Sequence, residues 1–264
     1  MKLGFIGCGN MAKAMIGGVI QGGVLKPEDI IGSTLRPESR EKVKETYGIK
    51  VTGNNLEVVE HSDMVVLAVK PYLYEKVIGE IRDSLRSDQV IIAIAAGQTI
   101  ADIERDFDKK VKVVRTMPNT PVLVSEGMTA VCANAQVTAE ELDSVCKIFR
   151  GFGKVELIGE HLIDAVIATS GSSPAYVYMF IEAMADGAVA EGMPRAQAYK
   201  FAAQAVLGSA KMVLETGIHP GELKDMVCSP GGTTIQAVRV LEERGLRSAV
   251  IEAMTACAEA SRTL

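Results

Sequence analysis

Leu3-Gly4-Phe5-Ile6-Gly7-Cys8-Gly9-Asn10-Met11-Ala12 is the stretch that decides the fold. An apolar run with strand character gives way at Gly7 to a glycine turn, and from Met11 to Gln21 apolar residues recur at helical spacing. Strand, glycine turn and helix in that order are the setting in which G-x-G-x-x-G/A marks a dinucleotide-binding turn. Gly7 permits the tight turn, Gly9 lets the backbone approach a pyrophosphate, and Ala12 lets helix and strand pack closely. The phosphates would rest on the free N–H groups of the helix start. A glycine-rich structural turn with no ligand is the plain alternative.

The pattern continues outward from this turn. Lys2 to Ile6, Asp29 to Thr34, Ile49 to Val51, Asp63 to Val69, Gln89 to Ile94 and Lys112 to Arg115 read as strands. Several of them are continuously apolar, as strands covered on both faces are. Helical patterns over Met11 to Gln21, Pro37 to Tyr47, Pro71 to Leu85 and Ile100 to Phe107 alternate with them, which predicts an α/β doubly wound parallel sheet of Rossmann type. A strand near Met128 to Ala133, a helix opened by the capping box Thr138-x-x-Glu141 and a strand at Val155 to Ile158 complete that domain. After about Gly159 the β-branched runs vanish, and the rest reads as all-α. The expected division is residues 1–160, a dinucleotide-binding domain, and 161–264, an all-α substrate-binding and dimerisation domain.

Composition narrows the function classes. The 28 Lys and Arg are scattered among 33 Asp and Glu, for a net charge of −5, so there is no electrostatic footprint for nucleic acid. The longest apolar runs, Met64 to Val69 and Val90 to Ala96, fall far short of the roughly 20 residues that cross a bilayer. The N-terminus lacks a signal-peptide pattern, which predicts a cytoplasmic protein. Cys8, Cys132, Cys146, Cys228 and Cys257 lack metal spacing and read as reduced, packed thiols. His61, His161 and His219 are too dispersed for a metal site, so no metal is expected.

The strand ends supply the candidate cofactor contacts. An NAD-selective site carries an acidic residue about 20 residues beyond the glycines, to hold the ribose 2′-hydroxyl. Here the place reads Ser33-Thr34-Leu35-Arg36. No carboxylate repels a 2′-phosphate, and a guanidinium is available to bind one, so NADP(H) is favoured over NAD(H). Arg36 as a plain surface charge is the other reading. Ala68-Val69-Lys70-Pro71 follows the fourth strand, with Pro71 opening a helix, and Ala95-Ala96-Gly97 follows the fifth. Met117-Pro118-Asn119-Thr120-Pro121 follows the sixth: Asn119 is a candidate contact, or the motif is a rigid connection.

Two segments of the helical half are unusually polar: Thr169-Ser170-Gly171-Ser172-Ser173-Pro174-Ala175-Tyr176 and Val227-Cys228-Ser229-Pro230-Gly231-Gly232-Thr233-Thr234. Glycines, hydroxyls and a proline before a new helix bring N–H groups and hydroxyls together, which suits a carboxylate. Ordinary helix capping is the alternative. Tyr176, Tyr178 and the Met-rich stretch Met179 to Met193 have the spacing of core or interface packing.

Taken with these segments, the GCGNMA, AVKP, AAG and MPNTP motifs closely resemble the pyrroline-5-carboxylate reductase family over the whole chain. Leu223 to Ala237, LKDMVCSPGGTTIQA, is the most specific piece. The resemblance implies reduction of 1-pyrroline-5-carboxylate to L-proline by NAD(P)H, and assembly into dimers or rings of dimers. It implies cofactor contacts at Ile6, Gly7, Cys8, Gly9, Asn10, Met11, Ser33, Thr34, Asn55, Ala68, Val69, Lys70, Pro71, Ala95, Ala96 and Gly97. By the same resemblance Val227, Ser229, Gly232, Thr233 and Thr234 belong to the substrate site, and Gly231 lies in the same turn. Ser229 and Thr234 are the candidate catalytic residues, Thr234 by orienting the imine or helping deliver a proton.

Two competing functions are weighed. A β-hydroxyacid dehydrogenase resembles this protein in domain order but places a catalytic lysine one turn after a glycine-rich segment, and here no lysine follows Gly171 before Lys200. A silent NADP(H)-binding protein would not need the two polar segments. The Ala- and Met-rich helices carry more apolar surface than a small bundle hides, so paired subunits are expected to complete the core.

Overall fold

The computed structural model describes residues 1–263. Two compact units divide the chain: Met1–Gly171 together with the C-terminal residues from Cys257, and Ser172–Ala256. Among the described residues no helix is long and apolar enough to cross a membrane.

The first unit is a single eight-stranded sheet. In chain order it holds β1 (Leu3–Ile6), α1 (Asn10–Gln21), β2 (Ile30–Ser33), α2 (Pro37–Tyr47), β3 (Lys50–Thr52), α3 (Asn55–Glu60), β4 (Met64–Leu67), α4 (Tyr74–Ile81), β5 (Val90–Ala93), α5 (Ile100–Phe107), β6 (Lys112–Met117), β7 (Gly127–Ala133), α6 (Ala139–Arg150) and β8 (Gly153–Leu157). The strand order is β3-β2-β1-β4-β5-β6-β7-β8. The order reverses between β1 and β4, and that switch point is where open α/β sheets form a ligand crevice.

Strand side chains alternate between two cores. Leu3, Phe5, Met64, Val66, Val90 and Ile92 pack with Met15, Ile16 and Val145 of α1 and α6, whereas Ile6, Val65, Leu67, Ile91 and Ala93 pack with Ile78 of α4 and Ile103 of α5. The expected capping box is present: Thr138 Oγ1 accepts from Glu141 N at 3.3 Å, and Glu141 Oε2 accepts from Thr138 N at 2.9 Å.

Three local features differ from expectation. The six strands from β3 to β6 are parallel, but β7 runs antiparallel to β6, pairing Met117 with Ala130, and β8 runs parallel to β7. The link at 118–126 is a tight 3₁₀ turn, too short for the dozen or more residues that a parallel crossover needs. Pro71 opens a single 3₁₀ turn, Pro71–Leu73, with α4 beginning only at Tyr74 and ending at Ile81, short of Leu85. Beyond β8, α7 (Ile163–Val166) runs directly into a π-helical turn, Ile167–Gly171. Thr169 to Gly171 are therefore helical, and not a loop that opens a new helix. Ile163 and Ile167 are buried in the same core as β4 and β5, which is why the first unit extends to Gly171.

The second unit is helical: α8 (Ser173–Ala190), α9 (Arg195–Thr216), α10 (Pro220–Val227), α11 (Thr233–Glu243) and α12 (Leu246–Arg262), whose last residues belong to the first unit. Pro174 lies in the first turn of α8, and Gly217 closes α9 in the left-handed conformation. The buried apolar residues of Ser172–Ala256 are Ala185, Ala198 and Ala202 alone among the described residues, whereas Phe180, Phe201, Leu207, Leu214 and Ile251 are exposed. Within the first unit, Ser261 Oγ donates to Asp164 Oδ1 at 2.7 Å.

Candidate functional site

A cleft of about 1040 Å³ opens at the carboxyl ends of β1, β2, β4 and β5. Ligand pockets typically measure roughly 300–1,000 Å³. Its floor is built by the first glycine turn. Gly7 sits at φ +94, and a Cβ there would lie 2.9 Å from the Ala68 carbonyl oxygen, so only glycine lets β1 and β4 close at this point. Gly7 N donates to Ser33 O at 3.1 Å, tying the turn to β2. Gly9 is the residue before α1, and a Cβ built on it would meet nothing within 4 Å. That open space lies before the unpaired N–H groups of a helix with no acidic residue in its first turn.

The loops after β4 and β5 form the next part of the wall. Tyr74 is 1% exposed, and its hydroxyl donates to Leu67 O at 2.7 Å while accepting from Ile94 N at 3.3 Å. The bridge spans the two strand ends just before Ala68 and Ala95, where the backbones separate.

Most of the expected cofactor contacts converge here. Ile6, Gly7, Cys8, Gly9, Asn10, Met11, Ser33, Thr34, Arg36, Asn55, Ala68, Val69, Lys70, Pro71, Ala95 and Ala96 all line the cleft. Gly97 and Asn119 are not among its lining residues. Asn119 Nδ2 donates to Ser170 O at 3.0 Å and its Oδ1 accepts from Met128 N at 2.9 Å, so its amide joins β7 to the π-helical turn. Burial pushes the Cys8 thiol up to about 11, which keeps it neutral in the glycine turn.

The cleft also holds residues that the motifs did not indicate, Lys76 and Glu80 on α4 among them. They stand four apart and share one helix face; that spacing, on the helix after AVKP, was the available signal. The donor set fits a dinucleotide: an open helix N-terminus for a pyrophosphate, polar groups at the end of β2 for a ribose, and small residues at Ala95 and Ala96 for a close approach.

The second unit carries the other candidate segment. α10 ends at Val227, and Cys228 to Gly232 form a turn in which Gly232 N donates to Ser229 O at 3.0 Å and Gly231 takes φ +67. α11 follows at Thr233 with Gly232 as its cap residue, so no side chain can occupy its first N–H groups from that position. Ser229, Gly231 and Thr233 are exposed, Val227 is 66% exposed, and Gly232 and Thr234 are half-buried. The turn thus keeps N–H groups and hydroxyls at one helix start, an arrangement that can accept an anionic group.

Comparison with known proteins covers both units. The family model described as pyrroline-5-carboxylate reductase dimerisation matches residues 160–264, and that described as NADP oxidoreductase, coenzyme F420-dependent, matches residues 2–97. The chain is 57% identical over 263 residues to the pyrroline-5-carboxylate reductase of Escherichia coli K12, covering 100% of this chain and 98% of that protein. It superposes with a TM-score of 0.92 on the pyrroline-5-carboxylate reductase of Coxiella burnetii, at 36% identity, covering 99% of this chain and 97% of the other. The Plasmodium falciparum pyrroline carboxylate reductase with NADP bound gives a TM-score of 0.90 at 33% identity, covering 100% and 97%.

Proposed function

Because the chain belongs to the pyrroline-5-carboxylate reductase family, we propose that it reduces the C=N bond of 1-pyrroline-5-carboxylate with NAD(P)H to give L-proline, the last step of proline biosynthesis. The observation that carries the chemistry is the convergence of the Gly7 to Met11 turn and the loops after β4 and β5 on one cleft. When bound, the dihydronicotinamide supplies hydride to the imine carbon.

The chain's own residues then have three tasks. The N–H groups at the start of α1 hold the pyrophosphate, with Gly9 leaving room for it. Arg36 and Thr34 at the end of β2 take the 2′-phosphate, which gives NADP(H) preference while NAD(H) remains usable; the lack of a carboxylate at Ser33-Thr34-Leu35-Arg36 supports this. Ser229, Gly231, Gly232 and Thr233, with Val227 beside them, bind the substrate carboxylate at the start of α11. Thr234, one residue into that helix, hydrogen-bonds at the imine nitrogen, and Ser229 assists. A protonated imine is already a strong electrophile, so positioning supplies most of the rate and no strong side-chain base is required.

The protein acts as a homodimer, or a ring of dimers, in the cytoplasm. The match of residues 160–264 to a dimerisation family and the exposed apolar side chains of α8, α9 and α12 support the pairing.

The experiment is steady-state dinucleotide oxidation with pyrroline-5-carboxylate, run in parallel with NADPH and NADH on the native chain and on Arg36→Ala. Turnover that requires the imine, is absent with hydroxyacids, and loses its NADPH preference in Arg36→Ala supports the account. An unchanged preference in Arg36→Ala removes Arg36 from cofactor selection.

A further inference from the structure

Glu80 lines the cofactor cleft from α4, and none of the roles above uses it. Its Oε2 accepts a hydrogen bond from Asn55 Nδ2 at 2.7 Å, and Asn55 Oδ1 in turn accepts from Ser33 Oγ at 2.7 Å. All three residues line the same cleft.

The chemistry of this relay is directional. A carboxylate only accepts, so it fixes the amide with its NH₂ toward Glu80 and its carbonyl toward Ser33. The carbonyl takes the one hydroxyl hydrogen of Ser33, whose remaining capacity toward the cleft is its lone pairs. The wall at the end of β2 therefore presents acceptors beside the one negative charge of Glu80, while Lys76, one turn earlier on the same face of α4, and Arg36, at the end of β2, bring positive charge to the same cleft. An acceptor surface suits a ribose hydroxyl, which can donate. It disfavours a phosphate, which accepts only.

Resting on the assignment of this cleft to NAD(P)H, we propose that Glu80 is a positioning and specificity-determining residue: through Asn55 it holds Ser33 as an acceptor for a ribose hydroxyl, and its charge opposes a 2′-phosphate. The preference set by Arg36 is thereby moderated, and NADH keeps a foothold. Glu80 is exposed, so solvent screening limits the charge effect to about threefold to tenfold in affinity.

The test is calorimetric titration of NADP⁺ and NAD⁺ into the native protein, Glu80→Gln and Glu80→Ala, with melting of each unliganded protein to verify folding. Glu80→Gln retains an acceptor for Asn55 and removes the charge, so NADP⁺ binding tightens about threefold to tenfold relative to NAD⁺. Glu80→Ala frees the Asn55 amide, and NAD⁺ binding weakens. An unchanged NADP⁺ to NAD⁺ affinity ratio in folded Glu80→Gln overturns the proposal, and equal weakening of both dinucleotides does the same. Native protein that binds neither dinucleotide overturns the cofactor assignment on which the proposal rests.

Discussion

The hydroxyl of Tyr74 donates to the main-chain carbonyl of Leu67 at 2.7 Å, from a side chain that is 1% exposed. The same oxygen accepts from Ile94 N, so one buried phenol pins the ends of β4 and β5 where the cleft opens between their loops. Burial raises the phenol's pKa further above its ordinary value, and it remains a neutral donor. Replacing Tyr74 with Phe leaves a buried carbonyl and a buried N–H without their partner. The expected cost is about 1–3 kcal/mol in urea denaturation, with weaker NADP⁺ binding because the Ala68 and Ala95 loops lose their tie. Unchanged stability would show that the bridge carries no net weight.

The two glycines of the first turn should separate stability from binding. Gly7 at φ +94 faces the Ala68 carbonyl, so Gly7→Ala is expected to destabilise the fold by about 1–3 kcal/mol. Gly9 has an ordinary φ of −74 and open space around its Cβ position. Gly9→Ala should melt close to the native temperature yet bind NADP⁺ at least about tenfold more weakly, since the methyl enters the space assigned to the pyrophosphate. Melting curves and dinucleotide titrations of both variants check this. Normal NADP⁺ affinity in Gly9→Ala would remove the pyrophosphate from that position.

Thr234 is the group assigned to the imine nitrogen. Thr234→Ala is expected to lower kcat by on the order of tenfold to a hundredfold while leaving the Kd of NADPH alone, because the proposal places the residue at the substrate and not at the dinucleotide. Thr234→Ser, which keeps the hydroxyl, should recover most of the rate. A full rate in Thr234→Ala excludes Thr234 from the mechanism.

Three alanines supply the buried apolar residues of the helical unit among the described residues, while Phe201 is 66% and Leu214 80% exposed. A unit built this way is expected to gain its core from a partner chain. Light scattering at micromolar concentration should give at least twice the mass of one chain. A monomer of full activity would refute the assignment.

Much of this molecule is legible in its sequence, for identifiable reasons. The Gly7 to Ala12 turn and the apolar strands β1, β4 and β5 are local patterns, and they placed the cleft and most of its lining. The reversal at β7 was not legible, because it depends on how the 118–126 link folds and not on the composition of Gly127 to Ala133. Thr169 to Gly171 has the composition of a loop yet continues a helix, since Ile163 and Ile167 on the turns just before it are drawn into the sheet's core. Glu80 escaped because its meaning arises only when α4 brings it to Asn55, a residue 25 positions away. Asn119 sits in a conspicuous motif, but both ends of its amide serve backbone partners outside the cleft wall.

The most direct test of the central claim is to supply purified protein with 1-pyrroline-5-carboxylate and NADPH and to measure both NADPH consumed and L-proline formed. The account predicts equimolar amounts of the two and no consumption without the imine. NADPH consumption without proline, or no consumption at all by protein that binds NADPH, would contradict it.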